Sequence, residues 1–397
     1  MKTAVDINQL DVIFGSNIRR TTKKLDQGYS RQQIIDELGD VVAVNSASLQ
    51  VKQGQICVLM GLSGSGKSSL LRAVNGLNSI SRGSVKIRDN DQMIDLAHCN
   101  GATLRHLRTN RVSMVFQKFA LMPWLTVLEN VAFGLELKGM SKQQREQKAL
   151  EQLEMVGLSE WSNQYPHELS GGMQQRVGLA RAFAMDSDIL LMDEPFSALD
   201  PLIRTQLQDE LLALQRKLNK TIIFVSHDLD EALKLGNKIA IMESGKIIQY
   251  GEPEEIVLKP TDDYVEEFVA HTNPLNVLRG LSLMTSLTQL PQENNQIVIK
   301  PHEETRLKLA DDGSIDSVWR KNEALEMVTW QESDGFDAIS FDQVVVTDPD
   351  INMRDALELR YRSGQPIMLC NDKKLIGVLN DKDFYHALLG KHFSHSN

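Results

Sequence analysis

The stretch QICVLMGLSGSGKSSLLRAVNGL, residues 55–77, leaves this chain least freedom in how it folds. Its solid apolar run ICVLM predicts a strand buried on both faces of a sheet, and SSLLRAVNGL predicts a helix directly after it. Between them Gly61, Leu62, Ser63, Gly64, Ser65, Gly66, Lys67 and Ser68 follow the G-x-x-x-x-G-K-[ST] spacing, with Ser69 continuing into the helix. Glycines let the backbone wrap so that several N–H groups converge on phosphate oxygens, and the helix N-terminus adds positive dipole. A glycine turn that merely joins strand to helix needs neither the lysine nor the hydroxyl. The stretch therefore predicts a nucleotide phosphate loop, with Lys67 reaching the β- and γ-phosphates and the Ser68 hydroxyl a ligand for Mg²⁺.

A second half-site follows at ILLMDE, residues 189–194. An apolar strand ends there in Asp193, suited to hold a magnesium shell through water, and Glu194, suited to polarise water. Read alone, such an acidic pair is as readily a solvated loop; beside a phosphate loop it completes a site. The runs ILLMD, TIIFVSH and KIAIM alternate with helical stretches, which predicts an α/β fold with a largely parallel sheet. From about 117 to 186 helical patterns replace strands, predicting a helical subdomain inserted in the sheet domain. In SKQQREQKALEQLEMVGL, Ser141 can cap a helix whose Leu150, Leu153 and Val156 share a face.

Earlier, residues 16–39 read as an insertion of two short helices, with Ser30 and Gln33 spaced as a capping box and Gly39 ending the second. SRQQIIDELG could pass for a DNA-reading helix, but a formal charge of −10 disfavours binding that depends on neutralising phosphates, so the expectation is a structural insertion packing Ile34, Ile35 and Leu38. No run approaches the ~20 apolar residues that cross a bilayer, and the first residues lack the layout of a secretory signal, so membrane work is expected through partners. Three scattered cysteines, Cys57, Cys99 and Cys370, fit a reducing compartment, with Cys57 a plain buried thiol.

LSGGMQQR at 169–176 decides among nucleotide-binding families. It resembles the signature motif of ABC ATPases, and Ser170 with Gly171 and Gly172 before a helix is physically a second anion-binding helix start. The resemblance runs on in family order. Phe14 stands where an adenine-stacking aromatic is expected, and Gln117 matches the glutamine that links magnesium and attacking water to a membrane partner. SALD, ending in Asp200, matches the D-loop, and His227 of VSHD matches the switch histidine at the γ-phosphate, although a lone histidine there is more often a satisfied strand-end residue.

MGLSGSGKSSLLRAVNGLN, FALMPWLTVLENVAFGLE and DEPFSALDPLIRTQLQDELLALQ, with the early insertion and the carboxy-terminal extension, look like the ATP-binding subunits of choline, glycine betaine and proline betaine importers. The resemblance implies an ABC-type P-loop NTPase domain with a RecA-like core and helical subdomain, ATP and Mg²⁺ as ligands, and a homodimer with composite sites between one phosphate loop and the other subunit's signature motif. It implies transmembrane permease subunits, an external solute-binding protein acting indirectly, no nucleic acid, and a peripheral place on the cytoplasmic side of the inner membrane. The competing reading is a soluble ABC ATPase acting on nucleic acid or ribosomes. Those proteins carry long coiled coils or two fused ATPase domains, and neither pattern occurs here.

The expected domains are 1–275 for nucleotide binding, a linker at 276–300, and 301–397 for a small α+β regulatory region. Within the last, residues 344–390 resemble one CBS module, with Ala356 and Leu359 facing inward from a helix, and a degenerate partner module is expected from about 297 to 341. In nucleotide-binding CBS modules a Thr or Ser precedes an Asp by three; here Asn380 and Asp383 stand in those places. Arg360, Arg362, Lys373 and Lys374 are candidates for a basic patch facing an anionic membrane, or simply a solvated face.

Overall fold

The computed structural model describes residues 2–117, 120–197, 199–270, 277–293, 296–300, 304–321 and 323–388. Ala198 of SALD, residues 118–119 of the glutamine loop, and the last residues of the expected second module lie outside them. The chain divides into two compact units, Met1–Ile256 and Val257–Asn397.

The first unit opens with β1 (Thr3–Phe14), then the helical pair α1 (Ile18–Asp26) and α2 (Arg31–Leu38), and returns through β2 (Val41–Lys52), which pairs antiparallel with β1. The pair forms as expected: Ser30 and Gln33 make the capping box and Gly39 closes α2 in the left-handed region. Ile34 is fully buried with Ile13 and Val42, while Ile35, expected to pack, is exposed because it falls on the outer face of so short a helix. The buried Asp40 carboxylate clamps the insertion's base, accepting from the Thr21 hydroxyl and, at 3.1 Å, from the Ser16 amide.

Next come β3 (Ile56–Met60), α3 (Lys67–Val74), the hairpin β4 (Arg82–Asp89) and β5 (Gln92–Asp95), α4 (Gly101–Asn110) and β6 (Val112–Val115). Between Gln117 and Asp186 the described residues contain α5 (Val127–Leu137), α6 (Lys142–Met155) and α7 (Gly171–Ala184) and no strand. These helices share a core of their own that includes Val131, Leu135, Leu153 and Val177. Ser141 caps α6 as expected, and Leu153 and Val156 are buried, but Leu150 is exposed and Ala149 takes the inward place. A helix of 3.6 residues per turn buries a narrow stripe, and α5 and α7 meet it one residue earlier.

The sheet resumes with β7 (Ile189–Asp193), α8 (Pro201–Leu218), β8 (Thr221–Val225), α9 (Leu229–Leu235), β9 (Lys238–Glu243) and β10 (Lys246–Gly251). Its order is β10-β9-β3-β8-β7-β6, parallel except for the antiparallel β10. Leu59 pairs with Val225 and Val225 with Asp193, so β3, β8 and β7 end at one level and deliver their loops to one edge. Such an edge, beyond the carboxyl ends of parallel strands, is where ligands bind in open α/β sheets. The four-stranded sheet β2-β1-β4-β5 packs over the other side of α3, and one core joins Val5 and Val85, Leu70 and Leu71, and Leu59, Leu191 and Ile223.

After α10 (Pro253–Leu258), which straddles the division, the second unit carries α11 (Asp263–Val269), α12 (Gly280–Leu283), β11 (Thr285–Ser286), β12 (Gln292–Glu293) and β13 (Gln296–Lys300). The expected linker at 276–300 is therefore corrected: its described residues are ordered strands and a helix, hidden in a sequence because segments of two to five residues are too short to show a period. β14 (Thr305–Leu309), β15 (Ile315–Arg320) and β16 (Glu323–Ala324) extend β12 and β13 into an antiparallel meander. No α-helix is described from 297 to 341, so the expected partner module has a different construction.

The second sheet of this unit, ordered β11-β20-β19-β18-β17, contains β17 (Met327–Thr329), β18 (Val344–Thr347), β19 (Ile367–Asn371) and β20 (Lys374–Leu379). α13 (Met353–Ser363) crosses from β18 to the parallel β19, and α14 (Asp381–Leu388) follows β20. Ala356 and Leu359 are fully buried, as expected. Arg360 and Arg362 are spent on carboxylates, Arg360 on Asp381 at 2.8 Å and Arg362 on Glu358 at 2.6 Å.

Burial in the centre of the first sheet pushes the Cys57 thiol up to about 12. Since the thiolate is the reactive form, iodoacetamide at neutral pH should leave Cys57 unmodified in the native chain and label it in urea; peptide mass spectrometry reads the difference, and native labelling at Cys57 would contradict the packing described.

Candidate functional site

The loop from Gly61 to Gly66 leaves β3 and enters α3 at Lys67. Two of its glycines are required by space as well as conformation. Gly61 has φ +139° and a Cβ there would strike the Met242 carbonyl, while Gly66 has φ +103° and faces the Ala43 carbonyl. Gly64, at φ +80°, faces open space instead. The Lys67 ammonium folds back on the loop, donating to the carbonyls of Gly61 at 2.7 Å and Leu62 at 3.0 Å. Burial lowers its pKa, against the raising influence of Glu194 and Asp193. It is held among carbonyl groups of the loop.

At the next residue the Ser68 hydroxyl donates to Asp193 Oδ1 at 2.7 Å, and one turn further on Arg72 donates to Oδ2 at 3.1 Å. Asp193, the last residue of β7, is fully buried. Both of its oxygens are thus satisfied from α3, which a buried carboxylate requires. Arg72 was absent from the sequence expectations, yet its signal was there: it stands four residues after Ser68 and so shares its helix face.

Glu194 follows with φ +49°, a left-handed conformation uncommon for a residue with a side chain. Its amide donates to the Val225 carbonyl at 3.2 Å, which fastens the turn to β8. Its carboxylate receives the Gln117 amide at 3.1 Å, and His227 Nδ1 lies 3.6 Å away. A cavity of about 20 Å³ lined by Glu194, Ser197, Ser226, His227 and Asp228 has room for about one water beside them. Buried Gln175 from α7 donates to the Glu194 carbonyl at 3.5 Å, a second residue that sequence spacing did not single out.

Gln117, Asp193, Glu194, Ser68, Lys67 and His227 therefore converge. The donor set of a hydroxyl, an amide and carboxylates, all oxygen ligands, suits Mg²⁺ better than a softer metal. Ser170 and Asp200 are engaged locally: Ser170 caps α7 by accepting from Met173, and Asp200 caps α8 by accepting from Ile203. Gly171 and Gly172 form the first turn of α7. Phe14, at the end of β1, is 47% exposed, a free aromatic face. Ser63 and Ser69 lie within the loop and the first turn of α3.

With Arg72 replaced by methionine, Asp193 keeps Ser68 but is left with a buried, unsatisfied oxygen. We expect the folded state to lose about 1–3 kcal/mol, read by urea denaturation.

Residues 44–197 match the ABC transporter family. The glycine betaine/proline betaine transport system ATP-binding protein ProV of Escherichia coli K12 is 51% identical over 268 residues, covering 68% of this chain and 66% of that one. The glycine betaine/carnitine transport ATP-binding protein GbuA of Listeria monocytogenes is 39% identical over 396 residues, 97% of this chain and 98% of that protein. Among solved structures, a dimeric post-hydrolysis state of the ATP-binding cassette MJ0796 bound to ADP and Pi superposes with a TM-score of 0.54 at 31% identity, over 63% of this chain and 98% of that one.

Proposed function

Because the chain belongs to the ATP-binding subunits of ABC transporters, we propose that it hydrolyses ATP to power import of a quaternary ammonium solute, choline or glycine betaine, across the cytoplasmic membrane. The observation that carries the chemistry is the meeting of Ser68 with Asp193 and of Gln117 and His227 with Glu194 at one sheet edge. What carries the cargo is likeness to relatives named for betaine and carnitine transport, one of them matched over 98% of its length. No described helix is long and apolar enough to cross a membrane, so in this reading permease subunits supply the path. The chain sits against their cytoplasmic face, and a solute-binding protein delivers cargo on the other side.

In the mechanism we infer, Phe14 stacks on adenine and the loop amides from Leu62 to Ser69 cradle the phosphates. Lys67 exchanges its two carbonyl acceptors for β- and γ-phosphate oxygens. Ser68 and Gln117, with Asp193 through water, would hold Mg²⁺, which when bound would supply charge neutralisation at the phosphates. Glu194 accepts a proton from the attacking water, with its carboxylate oriented by Gln117, and His227 donates toward the γ-phosphate. Two copies associate head to tail, so that Ser170, Gly171 and Gly172 at the start of α7 in one copy close over the nucleotide held by the other; Asp200 belongs to the same face. The positive end of α7 is suited to that anion. In the second unit, β18-α13-β19-β20-α14 supports the reading of a CBS-like regulatory module. Asp383, its carboxyl pushed up by burial, bonds to the Asn380 amide at 2.7 Å and the Thr285 hydroxyl at 3.0 Å, which leaves it little to offer a nucleotide.

Glu194→Gln should bind Mg–ATP as wild type does and hydrolyse it about 10²–10⁴-fold more slowly; wild-type turnover would refute the role. In cells lacking this subunit, restored uptake of labelled choline or glycine betaine by wild type and not by Glu194→Gln would establish both the transport role and the solute. Normal uptake of both solutes without the subunit would overturn the cargo assignment.

A further inference from the structure

The α1–α2 insertion places one cation against the phosphate loop. Arg31, the first residue of α2, points a guanidinium nitrogen at the Gly64 carbonyl, 3.4 Å away. That is longer than the usual 2.7–3.2 Å of an N–H···O bond, and a guanidinium has five N–H donors to satisfy. Several arginines of the first unit rest on carboxylates, among them Arg72 on Asp193, Arg82 on Asp11 and Asp26, and Arg111 on Asp89 and Asp188. Arg108 and Arg176 donate to backbone carbonyls instead, at 2.8 Å and 3.1 Å, both within the usual range that the Arg31 contact exceeds. Among the described residues Arg31 has no carboxylate partner. It is only partly exposed, and burial lowers its pKa with no acidic neighbour to offset the cost.

An arginine left short of partners in such surroundings calls for an explanation in what surrounds it, and here the surroundings are rigid. Ser30 and Gln33 lock the start of α2 by their reciprocal cap. Ile34, three residues on, is buried in the small core with Ile13 and Val42. Asp40 clamps the base through Ser16 and Thr21. The insertion's other inward cation, Lys24, is already paired with Glu37 and lies 4.0 Å over the Tyr29 ring. The loop opposite Arg31 is open at Gly64, where an added Cβ meets nothing within 4 Å.

We propose that Arg31 is a nucleotide-binding residue: it leaves the weak contact with the Gly64 carbonyl for a polyphosphate oxygen of ATP seated in the loop. A planar, permanently charged fork matches phosphate geometry, and a charge-assisted bond replaces a long neutral one. The insertion then has a functional role in addition to its structural one, adding from outside the sheet a second positive group to that of Lys67. This rests on the reading of the loop as an ATP site.

The test uses the full-length chain as wild type, Arg31→Gln, Arg31→Lys and Lys23→Gln, the last an exposed lysine of α1 that removes the same charge elsewhere. Titration calorimetry with Mg–ATP should show affinity falling about tenfold or more in Arg31→Gln, partly recovered in Arg31→Lys and unchanged in Lys23→Gln. Hydrolysis should show KM rising by a like factor with kcat held within about twofold, which a loss of fold would not produce; unaltered thermal unfolding checks this directly. Arg31→Gln binding ATP as wild type does, or Lys23→Gln weakening it equally, overturns the proposal while leaving the ATP site intact. A wild type that binds no Mg–ATP overturns the reading of the loop itself, and this inference with it.

Discussion

The buried carboxylate of Asp193 holds the nucleotide-binding unit together at the place where chemistry is expected. It ends a central strand at zero exposure, and its charge is tolerable only because Ser68 and Arg72 reach it from α3. That pair of bonds fixes the rotation of α3 about its own axis. With the helix so turned, Lys67 folds under the loop, and the apolar residues Leu70 and Leu71 face the core between the two sheets. The phosphate loop is thus set by its helix as much as by its glycines.

From that anchor the rest of the site follows by register. β8 lies between β3 and β7, and the three end level, so the residue after β7 and the residues after β8 meet beside the loop that follows β3. Glu194 turns into this space through a left-handed backbone conformation, which carries a cost of order 1–3 kcal/mol for a non-glycine residue. The bond from its amide to the Val225 carbonyl holds the turn in place. Gln117 reaches the same carboxylate from the segment that leads into the helical subdomain. That bond ties Glu194 to the segment that precedes the helical subdomain.

Much of this is legible in the sequence. The buried strand, the phosphate loop, the insertion's capping box and the Ser141 cap all depend on spacing within about ten residues, and each formed as its local chemistry dictates. Expectations failed where local signals were short or one residue ambiguous. Leu150 and Ala149 both fit an inward stripe, and which one points in depends on where α5 and α7 lie. The segment expected as a linker, 276–300, contains strands of two to five residues that become strands only through pairing, β11 with β20, β12 with β13 and β13 with β14. Where the degenerate module is expected, from 297 to 341, the strands β13 to β16 form an antiparallel meander and β17 joins the other sheet parallel to β18, a construction its polar, turn-rich sequence does not announce.

Identity of the reacting groups, the order of strand, loop and helix, and the class of nucleotide chemistry are written in the chain, because each is carried by neighbours in sequence. Folding alone brings Ser68 to Asp193 across 125 positions, Gln117 to Glu194 across 77, and Arg31 to Gly64 across 33. Those meetings depend on strand order and register, which are settled by burying large apolar faces together across the whole unit and leave no mark on any single stretch of sequence.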